Sequence, residues 1–359
     1  MDKKTIVHII PTFELGGVQT AILYSLEDLN KVYNYRILVI GKIDREWIKN
    51  LPPLLQSYIL GSGSAGLPGG WVKGYKTLKH LKPDLVISSL WKSTALSAVF
   101  KLLNPTVLLA GFFHSSYATH FIEAFNNKVL GHIQDFSFAD SIVTKEFLEK
   151  FYKIKDAHVV SFVFGFRKPP GCKYFNPSEI KIAYFGRISP AKGVDRSLEF
   201  CRLCKKDGLN FRFDIYGDGP VDIYKKKIKK FDLEREVVIR GILPLQQVTE
   251  KMQAYDFLLQ LSNYEGMALA VVEAMNCGLV PIVTPVGEIA RYSKDGFNAI
   301  WLNPSFDDNL TQLVDKLKEV VSKDGSYHAL SVSAANTFSN HKKYSDSLIE
   351  IIDNYFIAS

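Results

Sequence analysis

Short apolar runs alternate with helical stretches twice along this chain, and that alternation constrains the fold more than any single motif. Thr5–Ile10 is an apolar run closed by Pro11. Gly16 and Gly17 follow, then a helical pattern with apolar residues at Ala21, Leu23, Leu26 and Leu29. Tyr35–Ile40, Asp84–Ser88 and Val107–Phe112 read as further buried strands, and Ser141–Val143 as a weaker one. Between the first strands lies a Gly-rich loop, residues 61–70. Residues 165–178, GFRKPPGCKYFNPS, then interrupt the pattern with three prolines and two glycines, the composition of a linker. The alternation restarts with Ile180–Phe185, Phe211–Tyr216, Val237–Arg240, Phe257–Leu261 and Val280–Val283. This predicts two doubly wound α/β domains, residues 1–168 and 169–335. Residues 336–359 read as a C-terminal helix packing back toward the first domain. Ligands of such sheets bind beyond the carboxyl ends of the strands. Two of them face to face are expected to leave a cleft.

Composition excludes several classes. No apolar run approaches the ~20 residues that a spanning helix needs. The first residues, MDKKTIVHIIPTF, place two lysines before a short apolar stretch, but Pro11 ends it and no small-residue cleavage site follows. A first strand in a cytoplasmic protein is the expectation. The cysteines are Cys172, Cys201, Cys204 and Cys277. The lone Cys201-x-x-Cys204 pair lacks the second ligand pair of a zinc site, so reduced structural thiols are expected. Charge is unevenly spread. Residues 1–170 carry 20 Lys+Arg against 13 Asp+Glu, and residues 171–359 carry 24 of each. The basic excess of the first half suits an anionic partner, such as phospholipid headgroups or a pyrophosphate-bearing substrate. No nucleic-acid module is present, and nucleic acid is not an expected partner.

Two segments carry chemistry. In Ile182–Gly193, IAYFGRISPAKG, a strand ends at Gly186, Arg187 and Lys192 follow in the loop, and Gly193 precedes a helix. Arg offers planar bidentate donors and Lys a point charge, so the two can converge on one diphosphate. In Ser262–Glu273, SNYEGMALAVVE, Glu265 and Gly266 occupy a turn after a strand, and a helix starts near Met267. The first amides of a helix can face an anion. Glu273, further down that helix, can accept from both hydroxyls of a ribose diol.

The pairing G-R-x4-K-G with E-x7-E, in this order and in the C-terminal half, resembles the retaining GT-B glycosyltransferases of family 4, the group 1 glycosyltransferases. FDIYGDGP at 213–220, VVIRGILP at 237–244 and EAMNCGLVPIVTPVGEI at 273–289 add to the resemblance, as does the Gly16-Gly17 pair before a helix. It covers most of the chain and is strongest over 180–300. It implies that Arg187 and Lys192 hold the donor diphosphate and stabilise charge on the leaving nucleotide. Glu273 would bind the ribose, and Glu265 the transferred sugar. The amides of Gly266, Met267, Ala268 and Leu269 would line the pocket, with Gly186 and Gly217 at the strand ends beside it. Gly16 and Gly17 would approach the phosphates from the other domain, Ile242 or Leu243 would hold the nucleobase through backbone atoms, and His114 would sit beside the donor sugar. The implied reaction moves a sugar from a UDP- or GDP-sugar, with retention, to a glycan or lipid-pyrophosphate-linked acceptor in cell-surface polysaccharide synthesis. Peripheral contact with an anionic membrane face would suit such an acceptor.

No Asp-x-Asp occurs in the sequence, so neither a metal nor another cofactor is expected: the chain supplies its own cations. Two departures from the family pattern stand out. Ala268 occupies a place where many members have glycine, and Gln19 stands where an acid-Arg pair is usual. The alternatives are another GT-B enzyme, such as a sugar-nucleotide 2-epimerase, and a non-catalytic nucleotide-sugar-binding subunit. The second would be expected to lose the charged residues that are all present here.

Overall fold

The computed structural model describes residues 3–14, 16–49, 51–61, 67–114, 121–164, 175, 178–302 and 310–358. Most of the 165–178 linker and the loop residues 62–66 lie outside that set, as does Cys172. The chain divides into two compact units, Met1–Phe164 with Lys342–Ser359, and Gly165–His341.

The first unit holds seven strands: β1 (Thr5–Ile10), β2 (Asn34–Val39), β3 (Ile59–Gly61), β4 (Leu85–Ser89), β5 (Leu108–Phe113), β6 (Phe136–Ala139) and β7 (Ala157–Val159). They run in the order β3-β2-β1-β4-β5-β6-β7, and every pairing is parallel. Strands covered on both faces need continuous apolar runs rather than alternation. LVISS in β4 is buried throughout. Val7, Ile9, Val86, Leu109 and Ala139 bring four strands into one core.

The second unit holds β8 (Ile180–Phe185), β9 (Phe211–Tyr216), β10 (Val237–Gly241), β11 (Phe257–Gln260), β12 (Val280–Val283) and β13 (Ile300–Trp301). Their order is β10-β9-β8-β11-β12-β13, again parallel throughout. Its core joins Ile182, Phe213, Phe257 and Ile282 to Leu198, Phe200 and Leu317 on the covering helices.

Each sheet reverses its winding once. In the first unit the switch falls between β1 and β4, and in the second between β8 and β11. Loops on the two sides of such a point diverge, which opens a crevice beyond the strand ends.

The sequence reading did not name β3, β6, β7 or β13, and one segment it read as a strand folds otherwise. Ser141–Val143 is not a strand. Ser141 caps the helix Ile142–Phe147, its hydroxyl accepting from the Thr144 amide at 3.1 Å. The neighbouring strand is β6, whose aromatic pair Phe136 and Phe138 is buried. A serine followed by apolar residues serves an N-cap as well as a strand, and here the hydroxyl satisfies a helix amide that a strand would have paired elsewhere.

The C-terminal helix Tyr344–Ala358 belongs to the first unit, where it packs on the helix Gly17–Val32. Tyr33 donates to Asp353 at 2.6 Å, and Ser345 to Asp28 at 3.3 Å. The isolated bridge Val163–Lys343 joins the two segments of this unit.

Candidate active site

The loops that follow β8 and β11 form one connected structure at the switch of the second sheet. Pro190–Lys192 makes a single tight helical turn, and Gly193 (φ 69°) leads into the helix Val194–Lys206. A Cβ on Gly193 would lie 1.7 Å from the Leu261 carbonyl oxygen, so only glycine fits where the two loops meet. Asn263 fastens the crossing. Its amide donates to the Ala191 carbonyl at 2.9 Å and its side chain to the Pro190 carbonyl at 3.1 Å. Arg196 donates to the Asn263 side chain. A second close approach lies one strand over, where a Cβ on Gly217 (φ 155°) would meet the Gly186 carbonyl oxygen at 1.7 Å. The ends of β8 and β9 are therefore pressed together beside the loop that carries Arg187.

Glu265 lies at the centre, with only 4% of its side chain exposed. A carboxylate this buried needs donors, and it has three. Lys192 Nζ donates to Oε2 at 2.6 Å. Gln260 Nε2 and Ser262 Oγ donate to Oε1 at 2.7 and 2.6 Å. Gln260 and Ser262 are also buried. They were not singled out from the sequence, although two polar residues closing the apolar run of β11 are the available signal. The ammonium of Lys192 is a third exposed and has three protons. One bond to Glu265 leaves two for an incoming anion.

Arg187 contrasts with Lys192. Its side chain is exposed and makes no hydrogen bond or ion pair among the described residues. Its backbone carbonyl is held by the Tyr184 hydroxyl at 2.6 Å, which fixes the loop while leaving the guanidinium available.

After Glu265 the backbone presents amides. The Gly266 carbonyl accepts from the Glu288 amide at 3.1 Å, Met267 from the Tyr292 hydroxyl at 3.2 Å, and Ala268 from the Val271 amide at 2.9 Å. The amides of Gly266, Met267, Ala268 and Leu269 have no acceptor among the described residues. They open the helix Leu269–Asn276. Unpaired amides at a helix start, with the dipole behind them, favour an anion. Burial raises the Tyr292 phenol well above its usual range, so it remains a neutral donor. Ala268 has φ 56° and ψ 64°, a left-handed conformation that costs a non-glycine residue about 1–3 kcal/mol. The departure from glycine noted in the sequence thus falls where glycine is the unstrained choice.

Glu273 is buried on this helix. Ile242 is 55% exposed and Leu243 half-buried in the segment after β10. Arg187, Lys192, Gly186, Gly217, Glu265, the four amides and Glu273 all lie on the loops and helix at the carboxyl ends of β8, β9 and β11. Among the described residues, no three His, Cys, Asp or Glu side chains cluster as metal ligands.

The remaining sequence candidates belong to the first unit. Gly16 is the extended N-cap of the helix that Gly17 begins. Gln19 is buried, and its side chain donates to the Thr12 carbonyl at 3.1 Å, bracing the loop that precedes the helix. His114 follows β5. Its Nε2 lies 3.0 Å from Ser89 Oγ at the end of β4, and its ring stacks on Phe112 at 4.3 Å. Ser89 Oγ is also 2.7 Å from His8 Nε2, and His8 Nδ1 is 2.7 Å from the Tyr35 hydroxyl. Burial lowers the pKa of both imidazoles to about 3, and for His8 the proximity of His114 contributes further. His8, Ser89 and Tyr35 escaped the sequence reading. A histidine inside the buried run of β1 was the signal.

Comparisons with known proteins bear on both units. The structure aligns with Anabaena HepE solved in complex with UDP and glucose, at a TM-score of 0.77 and 16% identity, covering 98% of this chain and 100% of that one. The fold is GT-B. Residues 173–337 match the family model described as Glycosyl transferases group 1. A poly(ribitol-phosphate) alpha-N-acetylglucosaminyltransferase of Staphylococcus aureus (strain COL) is 28% identical over 156 residues, 42% of this chain and 30% of that protein. A GDP-mannose:cellobiosyl-diphosphopolyprenol alpha-mannosyltransferase of Xanthomonas oryzae pv. oryzae (strain PXO99A) is 27% identical over 201 residues, 54% of this chain and 52% of that protein. The chain thus spans about half or less of the length of these curated relatives.

Proposed function

We propose that this protein is a glycosyltransferase that takes a sugar from a UDP- or GDP-sugar and transfers it to a glycan or lipid-linked glycan. The observation that carries this is the constellation at the β8/β11 switch: an Arg187 side chain and four amides without partners among the described residues, a Lys192 with spare protons, and two buried glutamates. A nucleoside diphosphate brings two to three negative charges. Arg187, Lys192 and the helix start meet them without a metal. Glu273 accepts from the ribose hydroxyls, and Glu265, held by three donors, accepts from hydroxyls of the transferred sugar.

The chemistry asked of the protein is positioning and leaving-group stabilisation. Arg187 and Lys192 gain strength as charge develops on the departing phosphate oxygen, which lowers the barrier selectively. That oxygen then takes the acceptor hydroxyl's proton on the face it leaves, and the configuration is retained. Both curated relatives are named as alpha-transferases, and the second by its GDP-mannose donor and its cellobiosyl-diphosphopolyprenol acceptor, which supports this reading. Incubation with labelled UDP- and GDP-sugars and a diphosphate-linked glycan acceptor tests it, in buffer with EDTA. Transfer with retained configuration is expected. Donor turnover that never needs an acceptor would refute it.

The acceptor is proposed to be lipid-linked, reached at an anionic membrane surface. The helices Leu67–Leu81, Thr94–Leu103 and Phe121–Ile133 pack side by side in the first unit. Between them they carry five lysines and one acid, Glu123. Val99, Leu102, Leu103, Phe121, Ile122 and Phe125 are each at least half exposed on them. Exposed apolar side chains on helices with a basic excess suit a layer of anionic headgroups over acyl chains. Sedimentation with phosphatidylglycerol vesicles should fall as salt rises. Equal binding to neutral vesicles, or none at low salt, refutes the membrane contact.

A further inference from the structure

The second unit concentrates its positive charge on one helix. Residues 165–341 hold 24 Lys+Arg and 21 Asp+Glu, and the helix Val221–Lys230, VDIYKKKIKK, supplies five of the lysines and one of the acids. The rest of the unit carries 19 and 20, close to neutral. The helix sits on the unit through Tyr224 and Ile228, which are buried. Lys227 belongs to that anchorage. It pairs with Asp195 on the helix Val194–Lys206, to which the Tyr224 hydroxyl also donates at 3.2 Å.

The opposite face is of another kind. Lys225, Lys226, Lys229 and Lys230 are exposed and make no hydrogen bond or ion pair among the described residues. Ile223 is 55% exposed, one turn from Lys226 and two from Lys230. Asp222 is the one acid on the helix, and the next acid along the chain, Asp232, pairs with Lys205 at 3.1 Å. Like charges one turn apart repel, so this crowding opposes the helix. Complementing the helix dipole accounts for Lys229 and Lys230 in the last turn, but not for Lys225 and Lys226 ahead of it.

We propose that the helix Val221–Lys230 is a membrane-contact surface of the second unit, which seats Lys225, Lys226, Lys229 and Lys230 on anionic lipid headgroups. It rests on the lipid-linked acceptor for the presence of a membrane, and on the first unit's helices for nothing. A surplus held on one face of an otherwise neutral unit gives a directed field. The exposed positions carry no aromatic ring on which a nucleic-acid base could stack. A soluble polyanion would leave Ile223 in water, whereas a headgroup layer over acyl chains takes both the lysines and the apolar side chain.

Sedimentation of the full chain with phosphatidylglycerol vesicles at low salt tests this. One variant replaces Lys225, Lys226, Lys229 and Lys230 by glutamine, which resembles lysine in helix propensity and leaves no partner behind. A control of equal net charge replaces Lys206, Lys251, Lys294 and Lys323, also exposed, by glutamine. The helix variant is expected to bind more weakly by about fivefold for each lysine, roughly several hundredfold in all. The control is expected to stay within about fivefold of wild type, because a charge away from the surface is screened. Neither variant should change transfer to a lipid-free acceptor. Vesicle binding that survives in the helix variant overturns the proposal and leaves the first unit's contact standing. Equal loss in the control overturns it too, since the charge then acts without a site. Wild-type binding to soluble polyphosphate as tight as to vesicles, and lost in the helix variant, gives the face to a soluble polyanion and overturns the lipid. A wild type that ignores anionic vesicles at low salt overturns the membrane contact of both units. The vesicle measurement needs no sugar transfer, so it stands apart from the catalytic reading.

Discussion

Replacing Lys192 by methionine separates the structural role of the Lys192–Glu265 pair from its proposed role on the donor. The change removes the 2.6 Å bond to a carboxylate whose side chain is only 4% exposed. Glu265 keeps its bonds from Gln260 and Ser262. The penalty is therefore below that of a bare buried charge, about 2 kcal/mol. In a unit of this size that corresponds to a melting shift of about 4–8 °C. A stability of roughly 5–15 kcal/mol leaves the variant folded at 25 °C. Removing a preorganised positive charge from a leaving phosphate costs more, about 3–4 kcal/mol, or roughly a hundred- to a thousand-fold in rate. Calorimetry gives the first quantity and initial-rate transfer kinetics the second. A variant within threefold of wild-type kcat/KM refutes the reasoning, whatever its melting temperature.

Three further outcomes follow from the same geometry. Arg187→Ala should leave the melting temperature within about 1 °C, because its side chain makes no bond to lose, yet abolish stabilisation by nucleotides; a large drop in the unliganded melting point counters this. Gly193→Ala forces a Cβ to 1.7 Å from the Leu261 carbonyl at φ 69°, and should destabilise by more than about 3 kcal/mol in a denaturant titration. His8 and His114 titrate near pH 3 when folded and near 6.5 when unfolded, so protons bind the unfolded state first. Their contribution is complete above about pH 6.5 and is lost as the pH falls toward 3, roughly 1–2 kcal/mol each by pH 5. The slope of stability against pH in that window should lessen in His114→Gln.

The sequence displayed the strands and the charged loops for a physical reason. Parallel strands buried on both faces need largely apolar runs, so β1, β8 and β12 stand out, and the glycine and lysine that follow β8 stand out against them. Elements without that pressure were hidden. β13 has two residues, and β3 has three, half-buried or exposed. Ser141 is ambiguous because one hydroxyl can serve a cap or a strand. Arg187, Lys192 and Glu265 were legible because charge beside an apolar strand is conspicuous. The partners that hold Glu265, and the row behind His114, were not. Gln260, Ser262, Ser89 and Tyr35 are common residue types, and only their approach in space gives them meaning. Ala268 shows the reverse: its place was noted, but the strain it bears needed the backbone angles.

The central claim is that the β8/β11 loops bind a nucleoside diphosphate through Arg187, Lys192 and the amides that follow Glu265. Titration calorimetry of the full chain with UDP and with GDP, in EDTA, tests it most directly. The account predicts saturable binding of one of them by wild type and at least tenfold weaker binding by Arg187→Ala. Absence of binding by either nucleotide, or equal binding by the variant, would contradict it.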